Sequence, residues 1–153
     1  MSNSLESFPV NTRLKLSALW TSVMFCYIYG DYFELYVPHK VEGLLSGNNI
    51  LDSPLNLLMA TVMLTIPALL ISISVMAKPG VSRMLNIVFG VFFTLLMLLI
   101  AATSLTEWRM FYVFLALVES ALTSGVVYQA WNWERKATNP ATYERSTRIL
   151  HGK

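Results

Sequence analysis

Pro54–Ala77, PLNLLMATVMLTIPALLISISVMA, runs for 24 residues without a charged side chain and stops at Lys78-Pro79-Gly80. A helix needs about 20 mostly apolar residues to cross roughly 30 Å of hydrocarbon. Backbone polar groups in lipid must be paired internally, which leaves a helix as the form of such a run. Strands of a membrane barrel would alternate in polarity over about ten residues, and this stretch does not.

Working outward, three more segments read the same way: about Leu14–Tyr36, ending before Pro38, about Met84–Ser104 and about Arg109–Trp133. The composition agrees. Of 153 residues, 55% are hydrophobic and 13% charged, where a soluble domain carries about 25% charge. Mean hydropathy is +0.53. The expected fold is all-α, an integral membrane four-helix bundle. A polar segment (1–12) precedes the four-span domain (13–136), and a polar tail (137–153) follows it. The first span is not a signal peptide: its apolar run is too long, and no small-x-small cleavage site follows.

Charge placement orients the bundle. Arg13 and Lys15, then Lys78 and Arg83, then Arg135, Lys136, Arg145, Arg148 and Lys153 fall in the first segment, the second loop and the tail. The other two loops hold only Lys40 and Arg109, beside Glu42, Asp52 and Glu107. The positive-inside rule puts both termini in the cytoplasm. Trp108, Tyr112, Trp131 and Trp133 sit near the ends of the last span, as interfacial aromatics do. The loop 39–53 is longer than a turn. Val41, Leu44, Leu45, Ile50 and Leu51 suit a short interfacial helix, broken at Gly47-Asn48-Asn49. The net charge of +2 includes no dense basic patch, so no nucleic-acid partner is expected. The lone Cys26 excludes an intrachain disulfide and reads as a packing thiol.

Three carboxylates fall inside spans: Asp31, Glu34 and Glu119. Ionisable groups in a bilayer are expensive, and they usually face the bundle interior and mark function. No base in the spans answers them. Helical spacing places Trp20, Tyr27, Asp31 and Glu34 on one stripe, and Trp108, Tyr112, Glu119, Thr123 and Val126 on another. The corresponding stripes of the middle spans are Thr61, Thr65, Ala68 and Ser72, then Asn86, Gly90, Met97, Ala101 and Ser104. Small and weakly polar residues are what packed membrane helices bring together. At about 1.5 Å per residue, Asp31 lies roughly 10 Å from Pro38 and Glu119 roughly 15 Å from Arg109. Both depths run inward from the non-cytoplasmic face. Asp31 and Glu119 are therefore expected to share a cluster, with Glu34 nearer its mouth, pairing there with Lys40 or Arg109. Trp20, Tyr27, Tyr112, Thr61, Thr65, Asn86 and Thr123 are the expected cavity walls. Neighbouring carboxyls in a poorly solvated site favour a shared proton or a bound cation.

Pro67 reads as a tolerated kink that frees the carbonyl of Met63. His39 reads as a loop residue. No HExxH or ExxH pattern accompanies it, so no metal site is expected. Motifs of nucleotide, redox and serine chemistry are missing, as are the intramembrane histidine pairs of a haem bundle. No cofactor is expected.

Leu16-Ser17-Ala18-Leu19-Trp20, Tyr29-Gly30-Asp31-Tyr32-Phe33-Glu34-Leu35-Tyr36, Asp52 through Ala60, Asn86-Ile87-Val88-Phe89-Gly90 and Tyr112 through Glu119 together resemble a family of small four-span bacterial membrane proteins, a domain of unknown function. The resemblance covers roughly residues 13–133. It implies the four-span fold in a bacterial inner membrane, and no substrate. Where that family usually has glycine, this chain has His39. Three functional classes follow. The first is binding or transport of a proton, a cation or a cationic or apolar small molecule by the carboxylate cluster, with a homodimer expected for alternating access. The second is an acid–base enzyme acting on a membrane lipid or isoprenoid. The third is an accessory subunit whose acids serve packing.

Overall fold

The computed structural model describes residues 10–47, 49 and 51–133. The expected tail, with Arg145 and Arg148, and most of the polar first segment lie outside these residues. The described chain is all-helical. Helix α1 spans Thr12–Glu34, the short α2 Lys40–Leu45, α3 Pro54–Met76, α4 Pro79–Thr103 and α5 Met110–Trp131, with a 3-10 turn at Glu107–Arg109 before α5.

Local chemistry sets the starts. The Asn11 side chain accepts from the Arg13 backbone N–H at 3.0 Å and caps α1. Ser53 caps α3 in the same way at 3.2 Å, with Pro54 opening the helix. α4 starts five residues before the expected Met84. Lys78-Pro79-Gly80 looks like a loop, but Pro79 at the first helical position is preorganised to begin one. α2 is the expected short loop helix. It ends at Leu45, and the chain turns at Gly47 with φ +74°.

The four long helices close into a ring in which α1 neighbours α3 and α5, and α4 neighbours α3 and α5. α4 and α5 pack most closely, α3 and α4 most loosely. Successive helices run in opposite directions. The start of α1 meets the end of α3 through Arg13 Nη1 and the Val75 carbonyl, 2.8 Å. The start of α4 meets the end of α5 through Arg83 Nε and the Ala130 carbonyl, 3.1 Å. Both arginines thus supply donors to helix C-termini, whose last carbonyls lack partners within the helix.

The half of the bundle at the Arg13 end is solid. Leu16, Trp20, Val23, Leu70, Phe93, Val126 and Ala130 form its apolar core. Inside it lies a polar cluster. Trp20 Nε1 donates to Asn86 Oδ1 at 2.7 Å, and Asn86 Nδ2 donates to the Ser82 carbonyl at 2.8 Å and Ser74 Oγ at 3.1 Å. α1 gives Trp20, α3 gives Ser74 and α4 gives Ser82 and Asn86, so the cluster sets depth and rotation among the three helices. Gly90 lets α5 approach α4: a Cβ there would lie 2.8 Å from Val127 Cγ2.

Three helices, Pro54–Met76, Pro79–Thr103 and the segment Glu107–Trp131, are long and apolar enough to cross a membrane. α1 has the same length as α3, but its tyrosines, serines and acids make it less apolar. The expected first span, about Leu14–Tyr36, corresponds to this first long helix, which is not among the three.

Candidate functional site

The half of the bundle at the Glu34 end is hollow. It holds a cavity of about 260 Å³. All four long helices supply walls: Tyr27 and Asp31 from α1, Met63 from α3, Met97 from α4, Tyr112 and Glu119 from α5. Asp31 and Glu119, assigned to one cluster from their depth, do line one cavity. Tyr27 and Tyr112 stand with them.

Glu119 is 4% exposed. Its backbone carbonyl accepts from Thr123 Oγ1 at 2.8 Å, but its carboxyl group makes no hydrogen bond or ion pair among the described residues. Asp31 is exposed, and its carboxyl group likewise makes no hydrogen bond or ion pair among the described residues. Tyr27 Oη is buried without a hydrogen-bond partner. Buried polar groups are almost always satisfied in folded proteins. Tyr27 Oη, beside the buried Glu119, is therefore an exception on the wall of this cavity. The remaining walls are largely aliphatic and aromatic, including Phe93, Leu96, Ile100 and Leu115.

Glu34 does not join this pair. Its Oε1 accepts from Lys40 Nζ at 2.9 Å and Arg109 Nη2 at 3.1 Å. The base missing from the spans is thus supplied at their edge, and Glu34 ties α1 to α2 and to the start of α5. His39 Nδ1 lies 3.0 Å from Glu42 Oε2 on the surface, away from the acids. No group of three metal-ligating side chains occurs among the described residues.

Five expected wall residues do not line the cavity. Trp20 and Asn86 are fully buried, but they bind each other in the solid half. Thr123 is also buried, with its Oγ1 2.7 Å from Thr94 Oγ1 at the α4–α5 contact. Thr61 and Thr65 are exposed. Their hydroxyls donate to the carbonyls of Leu57 and Thr61, at 2.8 and 2.7 Å. A hydroxyl satisfied one turn back on its own helix has no need of the interior. α3 turns Met63, Pro67, Leu70 and Ser74 inward instead. Cys26 and Gly30 line the cavity as well. Gly30 follows from the stripe arithmetic, three residues beyond Tyr27. Cys26 follows from no polarity signal.

The architecture points to a multi-pass helical membrane protein with an acid-bearing hollow in one half. The chain belongs to a family of unknown function (DUF6326), whose model matches residues 6–139. No curated protein and no solved structure matches it.

Proposed function

We propose that this protein binds a cation, or a small molecule carrying one, inside a bacterial inner membrane. Asp31 and Glu119 are the charge partners, and Tyr27 Oη is an additional hydrogen-bonding group. The observation that carries this reading is one cavity with two carboxyl groups and a phenol, none of them paired among the described residues. A carboxylate without a partner in a poorly solvated site is costly, and a bound cation removes that cost. Tyr27, Tyr112 and Phe93 add aromatic faces suited to an organic cation. Arg13 and Arg83 at the solid end support cytoplasmic termini by the positive-inside rule. The cavity then lies in the outer half of the membrane. Movement of the ligand across the membrane requires opening of the solid half and coupling to an ion gradient.

The accessory reading is less well supported. Acids that serve packing hold a neighbouring helix, as Glu34 does, and Asp31 and Glu119 hold none among the described residues.

The test is scintillation-proximity binding of radiolabelled octylammonium to the purified protein in lipid nanodiscs, against empty nanodiscs. Saturable binding that falls at least about tenfold in Asp31→Asn/Glu119→Gln supports the reading, since each charge-assisted contact is worth more than a neutral one. Equal binding by the double variant overturns it.

A further inference from the structure

The walls of the cavity are unequal. Beside it, α4 buries Phe93, Met97 and Ala101, and α5 buries Val113, Ala116 and Glu119. α3 buries nothing between residues 54 and 66, although Ala60, Met63 and Leu64 line the cavity. The α3–α4 seam is also the loosest of the ring. Pro67 marks where α3 rejoins the packed core, and it is buried there. It has no N–H for the carbonyl of Met63, so the helix ladder is interrupted just below the loose segment. The water end is constructed differently. Glu34 clamps Lys40 and Arg109, and Leu51 lines the cavity from the connection between α2 and α3.

We infer that the ligand enters sideways from the bilayer through the seam between α3 and α4, and that it belongs to the membrane-dissolved amines or ammonium ions with an apolar body. This rests on the cation-binding reading above. A hydrated inorganic ion does not pass through hydrocarbon to a lateral opening. An amphiphilic amine does, with its apolar body against Met63, Leu64 and Leu96 and its cationic head toward Asp31 and Glu119. The outer half of α3 is the wall that yields, pivoting at Pro67.

Cys26, the only cysteine and a cavity residue, reports the route directly. The protein in nanodiscs is treated with neutral, lipophilic benzyl methanethiosulfonate or with its permanently charged, water-soluble trimethylammonium-ethyl counterpart. Each rate is normalised to an aqueous reference cysteine, Glu107→Cys in a Cys26→Ala background. The normalised rate at Cys26 is expected to favour the neutral reagent by at least about tenfold, because charge is excluded from hydrocarbon. Ala60→Phe, which narrows the seam from α3, is expected to slow the neutral reagent several-fold. Equal normalised rates, no reaction with either reagent, or an unchanged neutral rate in Ala60→Phe overturns lateral entry. Octylammonium binding that still depends on the acids would then leave the cation reading intact and remove only the route.

Discussion

The two halves of this bundle solve the same problem in opposite ways. At the Arg13 end, the buried polar groups are paired, Trp20 with Asn86 and Asn86 with Ser74 and Ser82, while Arg13 and Arg83 bond helix C-termini at the rim. At the Glu34 end, Tyr27 Oη and the Glu119 carboxyl are brought inside and, among the described residues, left without partners beside the cavity. Pairing fixes helices in register. Orphaned groups in a hollow leave room for something else to pair with them. Polarity alone therefore does not mark a site in a membrane bundle; unsatisfied polarity does.

Substitutions should separate the halves by the sign of their effect. Asn86→Leu strands the Trp20 indole N–H and removes the link between α1, α3 and α4. It is expected to destabilise by about 2–3 kcal/mol, read as a lower midpoint in denaturant unfolding of the reconstituted protein. Gly90→Ala is expected to cost about 1–3 kcal/mol by forcing Val127 away and overpacking the α4–α5 contact. Glu119→Leu runs the other way. It replaces an unpaired buried carboxyl with a side chain suited to the apolar walls, and stability should rise by about 1 kcal/mol while octylammonium binding is lost. A destabilised Glu119→Leu would place Glu119 with the paired polar groups of the other half. Glu34→Gln weakens two ion pairs at the edge of the hollow and is expected to cost about 1 kcal/mol or less, with cation binding retained. His39→Gly is the smallest. His39 has φ 63°, in the left-handed region where glycine is free of strain. Removing that strain should stabilise by about 0.5–1 kcal/mol without touching binding.

His39 also shows what sequence carries well. The resemblance flagged it as standing where glycine is usual, and its positive φ supplies the reason. The long helices were equally legible, because a bilayer demands long apolar runs and charges mark their ends. So was the meeting of Asp31, Tyr27, Tyr112 and Glu119, since helical periodicity and depth from the same face are geometric. The α4 stripe from Asn86 through Ser104 is buried throughout. The face of α3 was not legible. Thr61 and Thr65 looked inward because they are polar, yet a threonine hydroxyl bonds its own helix and tolerates lipid. Depth was lost for Trp20, Asn86 and Thr123, which share a stripe with cavity residues but belong to the solid half. The caps made by Arg13 and Arg83 join positions 62 and 47 residues apart, and nothing local announces them.

The most direct test is a high-resolution structure of the protein in a lipid nanodisc with saturating octylammonium. Elongated density is expected in the hollow, its head within ion-pair distance of Asp31 and Glu119 and its tail toward the α3–α4 seam, with the Trp20–Asn86 half unchanged. A dry interior, with α3 closed against α4 and both acids hydrogen-bonded to neighbouring helices, would contradict it.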